Sequence, residues 1–204
     1  MKKNRTLWSA DGGESTLRIE FPGLSAHSVV LDCGGWKGDW SSDIYSKYRS
    51  KIYIFEPVPQ FNQHILKRFS ENNDIYVNDY GIGSHDTSLK IYLGSEGSSI
   101  FKNRNTTSSE CEVSIVDVQG FIENSGIDSI SLIKINIEGG EYDLIDRMID
   151  CSYHHLTDRF LIQFHDFVPE AVSRRDKIRC KLKETHDLIF DYPFVWEYWR
   201  KKSL

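Results

Sequence analysis

Apolar runs alternate with helix-period segments through the first 80 residues of the chain. Val29-Val30-Leu31 and Ile52-Tyr53-Ile54-Phe55 are apolar throughout, which fits parallel strands covered on both faces. Between them, Trp40, Ile44, Tyr45 and Tyr48 recur at i, i+4, i+5 and i+8, one buried face of a helix that Asp39 can cap. Pro57 stops the second run, and Pro59 opens a helix with Phe61, Ile65, Leu66 and Phe69 on one face. Ile75-Tyr76-Val77 is a third strand. The order is β-α-β-α-β, a parallel half-sheet.

The pattern then changes. Leu89, Ile91 and Leu93 alternate, as do Val113 and Ile115, predicting a strand pair. The polar stretch Gly94–Glu110 between them reads equally as plain surface or as a mobile loop near a site. Asp117 caps a helix with Val118, Phe121 and Ile122 on its face, ended at 124–126. A fourth strand over Leu132–Glu138 precedes a helix facing the core with Leu144, Ile145, Met148 and Ile149. A fifth strand covers Phe160–Phe164. Residues 170–185 form a basic helix, with Val172, Ile178 and Leu182 inward and Arg174, Arg175, Lys177, Arg179, Lys181 and Lys183 outward. A solvated face is favoured there over an anionic or membrane-surface patch. Leu188–Tyr192 and Phe194–Trp199 form a last strand pair turning at Pro193. In residues 1–28, Leu17-Arg18-Ile19-Glu20-Phe21 alternates like a half-buried strand, so this part is a leading segment or an edge strand. Residues 29–204 read as one α/β domain.

Composition narrows the classes. The 204 residues are 39% hydrophobic and 27% charged, enough for one three-layer domain. A formal net charge of -5 argues against a general nucleic-acid surface. The four cysteines form no C-x-x-C pair and read as reduced thiols. No apolar run reaches membrane-span length, and no signal-type core follows the basic start, so a cytoplasmic location is expected. No metal cluster is suggested, His154-His155 read as surface, and no oligomeric state follows from the sequence.

Polar groups gather where strands end, the place where open α/β sheets bind ligands. After the first strand comes Asp32-Cys33-Gly34-Gly35-Trp36-Lys37-Gly38. Gly34, Gly35 and Gly38 permit sharp turns and close backbone approach to a ligand. The spacing is neither the dinucleotide fingerprint nor a phosphate loop. It suits a ligand with a charged amino-acid end, and S-adenosylmethionine is the working cofactor. Asp32 can hold that ligand's ammonium through backbone groups or water, or brace the loop. Glu56, ending the second strand, can accept two hydrogen bonds from a ribose diol. Asp79-Tyr80 end the third strand. Asn136 and Glu138 lie one pleat apart on the fourth, followed by Gly139-Gly140 and Glu141. Glu138 reads equally as a proton acceptor or, with Glu141, as a helix cap. His165-Asp166 end the fifth, and His is the usual base near neutral pH.

Together VVLDCGGWKGDW, KIYIFEPVPQF, LIKINIEGGEYDLI, LIQFHDF and THDLIFDYPFVWEYW resemble the FkbM-type methyltransferases, from about Val29 to the end. The resemblance implies a class I, Rossmann-like fold with a mostly parallel seven-stranded sheet in the order 3-2-1-4-5-7-6, flanked by helices and closed by an antiparallel strand pair. It implies S-adenosylmethionine as cofactor, held by Asp32, Gly34 and Gly38 in the loop and by Glu56 at the ribose. Lys134–Glu141 matches the family's Lys-Ile-Asp-x-Glu-Gly block, with Asn136 where Asp is commoner. An amide carries no charge there but still forms hydrogen bonds. The implied reaction is methylation of a hydroxyl on a sugar, glycan or secondary metabolite. The expected base is His165 first, then Asp166 or Glu138. The rivals are an NAD-dependent oxidoreductase on a similar sheet and a non-catalytic cofactor-binding module.

Overall fold

A computed structural model of the chain describes residues 2–94, 97–99 and 109–203. Its main sheet contains β1 (Val29–Cys33), β2 (Lys51–Phe55), β3 (Ile75–Asn78), β8 (Leu132–Ile135), β9 (Arg159–Ile162), β10 (His186–Tyr192) and β11 (Trp196–Lys201). The order is β10-β11-β9-β8-β1-β2-β3. Numbered by position among these seven, that is the expected 3-2-1-4-5-7-6. Only β11 runs antiparallel to both its neighbours. A second sheet, β4 (Gly81–Gly83), β5 (Thr87–Gly94), β6 (Gly97–Ser99) and β7 (Ser109–Asp117), has the order β4-β7-β5-β6. The expected strand pair is β5 with β7, antiparallel. Of the polar stretch at 94–110, residues 95, 96 and 100–108 lie outside the described residues.

The two-residue period of the strands builds two cores. Leu31, Cys33, Tyr53, Phe55, Ile133 and Ile135 face one side, against α4 (Val118–Ser125), α5 (Glu141–Asp150) and α6 (Ala171–Thr185). Val30, Ile52, Ile54 and Leu132 face the other, against α1 (Lys2–Ala10), α2 (Asp39–Tyr48) and α3 (Pro59–Arg68). Each fully buried aliphatic chain of this kind contributes about 1.5–3 kcal/mol. Asp117 caps α4 by accepting from the Gln119 N–H at 3.0 Å, and Gly126 ends that helix at φ 64°.

Four local expectations are corrected. Residues 17–21, where alternation suggests a strand, lie in a π-helical turn and the turns after it, and the segment before them is α1. Its Trp8 is buried against Phe190 and Tyr192, because an aromatic there finds an apolar face already built by β10. Leu66 is exposed, and Asn62 takes the buried place, donating to the carbonyls of Glu56 and Asn78. On α6, Val172 is exposed while Arg175 is buried, because its guanidinium meets Glu197 at 2.9 Å and also pairs with Asp191. Arg175 therefore leaves the solvated face, on which Lys177, Lys181 and Lys183 stay exposed. His154 is buried as well, and burial pushes its pKa down. The four cysteines are free thiols.

Candidate active site

The chain leaves β1 at Cys33 and turns at Gly34, φ 89°. The N–H groups of Gly34 and Gly35 both donate to the Phe55 carbonyl, at 3.0 and 3.2 Å. A Cβ on Gly34 would stand 2.0 Å from the Asn136 carbonyl oxygen, and one on Gly35 would stand 2.3 Å from Ile54 Cγ2. These glycines are thus demanded by the protein's own packing. Gly38, φ 77°, precedes α2 and lies against Phe69. It is the cap residue, so Asp39 sits inside the first turn and pairs with Arg68 instead of capping.

Asp32 is held inside the sheet. Its carboxylate is wholly buried and accepts from Ser41 Oγ at 2.6 Å and Lys134 Nζ at 2.9 Å. Asp32 and Lys134 are direct partners in the parallel β1–β8 ladder, which puts both side chains on one face. Lys134 also donates to the Gly34 carbonyl at 2.7 Å. The pair therefore ties the loop to the sheet, so that of the two expected roles for Asp32, ammonium binding and loop bracing, the bonds seen serve the bracing, through Lys134.

A cavity of about 580 Å³ opens over the carboxyl ends of β1, β2 and β8, at the point where the sheet order reverses. Gly34, Gly35, Glu56, Asn136 and Glu138 line it. Gly38, Asp79, Tyr80, His165 and Asp166 do not line it, and neither does Asp32. After β3 the chain bends away before returning: Asp79 is exposed and Tyr80 leans on Phe55, 6.0 Å between rings. The wall there is made by Gly81, Ile82, Gly83, Ser84 and His85. A Cβ on Gly81 or Gly83 would stand 2.6 Å from Ile115, so the Gly-x-Gly spacing is the signal that could have located this wall. Phe61, Leu89, Ile91 and Val113 complete an apolar half, and Trp36, Trp40, Lys134 and Arg18 complete a polar one.

Glu56 Oε2 accepts from the Trp36 N–H at 2.7 Å and Oε1 from the Val58 N–H at 2.9 Å. Burial outweighs those bonds and pushes its pKa up to about 7. Each oxygen keeps a second acceptor position. Trp36 itself holds φ 49°, unusual for a bulky side chain, and is 42% exposed at the cavity.

His165, the expected first choice of base, is clamped between two carboxylates. Its Nδ1 meets Glu141 Oε1 at 2.8 Å and its Nε2 lies 3.5 Å from Glu138 Oε2. Burial opposes a charge on the ring, but the bonds to Glu138 and Glu141 outweigh it and push the pKa up to about 10. A ring that is protonated at neutral pH accepts no further proton. Glu141, fully buried, also accepts from the N–H groups of Ile137 and Gly139 at 2.9 and 3.0 Å. Glu138 sits at φ 53°, beyond the end of β8, so it does not share a pleat with Asn136, yet both line the cavity. Asp166 is exposed. The Asn136 Oδ1 atom is buried with no hydrogen-bond partner among the described residues. No helix among those residues is long and apolar enough to cross a membrane.

The methyltransferase FkbM domain model matches residues 32–175. The chain belongs to the FkbM methyltransferase family. It is an S-adenosylmethionine-dependent methyltransferase, which sets aside the oxidoreductase and the non-catalytic module. No curated protein matches the sequence. An rRNA methylase from Streptococcus thermophilus is similar in fold at 12% identity, over 88% of this chain and 90% of that one, with a TM-score of 0.55. A chain of the fibrillarin/Nop5p complex is similar at 12% identity, over 97% of this chain and 82% of that one, with a TM-score of 0.54. These two likenesses show a shared fold. The FkbM match ends at Arg175 and starts at Asp32, so it leaves the leading segment out.

Proposed function

We propose that this FkbM methyltransferase transfers its methyl group to a hydroxyl of a sugar, glycan or secondary metabolite, with Glu138 as the base. The observation that carries the reading is a carboxylate at the cavity wall. Glu138 has a side chain 39% exposed, lines the cavity and is backed by the charged His165. S-adenosylmethionine supplies a methyl carbon made electrophilic by its positive sulfur. A neutral hydroxyl attacks well only as its proton leaves, and Glu138 takes that proton. His165 is a positioning residue that keeps the Glu138 carboxylate aimed. The net charge of -5 supports a small-molecule or glycan acceptor over a nucleic acid.

The cavity's chemistry fits the cofactor. Glu56 offers its spare acceptor positions to the ribose hydroxyls. Asn136 Oδ1, a buried acceptor without a donor, receives the ammonium of the methionine end. Pro57, Phe61 and Ile82 offer apolar surface to a flat base. Gly34 and Gly35 keep the loop against the sheet beside it, and Asp32, Gly38, Asp79 and Tyr80, which do not line the cavity, act through packing.

Two outcomes test this. Incubation with S-adenosylmethionine and a panel of sugars, glycans, phenols and amines should yield methyl ethers by mass spectrometry; transfer confined to amines or carbon centres would refute the hydroxyl reading. S-adenosylhomocysteine affinity should rise with pH through about 7, because the ribose hydroxyls donate more strongly to the Glu56 carboxylate than to its protonated form. Below that point the loss is at most about tenfold per pH unit and levels off at the affinity of the protonated form. Glu56→Gln should bind weakly and lose the pH dependence, and a flat titration in the unaltered protein would remove Glu56 from the ribose.

A further inference from the structure

The leading segment lies outside the FkbM match, yet it reaches the cavity. Arg18 is a wall residue of the polar half. Its carbonyl accepts from Trp40 Nε1 at 2.8 Å, which fixes it beside the first turn of α2. The Trp40 ring lies 5.8 Å from Lys134 Nζ, and Lys134 holds Gly34, so Arg18 stands on the side of the cavity bounded by the glycine loop. Its side chain is held from behind. Glu14 pairs with an Arg18 terminal nitrogen at 3.0 Å, and the other Glu14 oxygen accepts from Trp8 Nε1 at 2.8 Å. Trp8 is buried against β10 and fills the space a Cβ on Gly13 would need.

Two facts set this arginine apart. Lys134 is already committed to Asp32 and to the Gly34 carbonyl. Arg18 is not fully committed: its Nε is buried and has no acceptor among the described residues. A buried donor on a charged group left without a partner is costly; Arg159 Nε is left in the same state, but only Arg18 of the two lines the cavity, where a ligand can bring an acceptor. Guanidinium presents its donors as a planar fork suited to a carboxylate.

We infer that Arg18 receives the carboxylate of the cofactor's methionine end, making the leading segment part of the cofactor site. Asn136, on the neighbouring strand end, takes the ammonium of the same zwitterion. The inference rests on the cofactor lying in this cavity, which the Glu56 titration tests separately.

The test is calorimetry with S-adenosylhomocysteine and with 5′-methylthioadenosine, which lacks the amino-acid end. Arg18→Met should weaken S-adenosylhomocysteine binding by about 10–100-fold and leave 5′-methylthioadenosine unchanged, as expected for one lost charged hydrogen-bonding contact. Arg18→Lys should recover part of the loss. Affinity for S-adenosylhomocysteine unchanged in Arg18→Met, or an equal loss for both ligands, would overturn the assignment. The unaltered protein gives an independent arm that needs no variant to fold: the carboxamide of S-adenosylhomocysteine should bind about tenfold more weakly than the acid. Equal binding of the two would also overturn it.

Discussion

Glu138→Gln should lower turnover by about 10²–10⁴-fold at saturating acceptor, with S-adenosylhomocysteine affinity unchanged. The amide keeps the size and the hydrogen-bonding reach of the carboxylate but takes up no proton. Glu138 is also held by its backbone: φ 53° is a left-handed conformation that a non-glycine residue adopts at a cost, set between the end of β8 and Gly139 at φ 112°. The turn aims the side chain at the cavity and leaves the base within reach of His165. His165, with its pKa pushed up to about 10, stays charged from pH 6 to 9. The turnover profile should therefore show no limb belonging to a histidine in that window. His165→Gln should cost less than Glu138→Gln, because it removes support and not the acceptor of the proton. Full turnover in Glu138→Gln, or a neutral-pH limb abolished by His165→Gln, would return the base to another group.

The second large effect is on stability. Asp32→Ala should destabilise the fold by about 3–5 kcal/mol in urea denaturation, since it strands the Lys134 ammonium in the core. Side-chain exposures of 6% and 0% leave neither charge an alternative in water. The companion variant Lys134→Met leaves Asp32 with Ser41 as a donor and should cost somewhat less. The double variant Asp32→Leu with Lys134→Met should be far less damaging than the sum of the two, because it removes both buried charges together. Additive losses would show that the two side chains act independently. S-adenosylhomocysteine should also bind more weakly to Lys134→Met, since the Gly34 carbonyl loses its tie to β8.

Where the sequence signal was periodic, it carried through to the structure. The continuous apolar runs around Val30, Leu31, Ile52, Tyr53, Leu132 and Ile133 called for strands covered on both faces, and the two cores cover them so. The short crossovers and the late antiparallel strand leave few sheet orders open. The acids at strand ends were visible too, but their company was not. Asp32 looked like a ligand residue because its partner is 102 residues away in the chain. His165 looked like a base because nothing nearby in sequence shows that two carboxylates from the β8–α5 turn would close on its ring. Asp79 and Tyr80 stand off the cavity because the bend after β3 carries the wall to Gly81–His85. The N-terminal alternation misled because five residues of alternating pattern fit a strand and a tight turn equally well. What settles the matter is Trp8, buried on the far edge of the sheet.

The full sheet order came from the resemblance to the family; by itself, then, the sequence determined the strands, their parallel first half and the glycine loop. Those are properties of local period, turn chemistry and chain handedness, each written within a few neighbouring residues. The tertiary structure alone decided which polar groups face the cavity, which cancel one another beneath it, and that the leading segment contributes Arg18 to the wall. Those depend on contacts across scores of residues, and on burial. Burial sets the charge state of Glu56, while the two carboxylates that close on His165 set that of the ring.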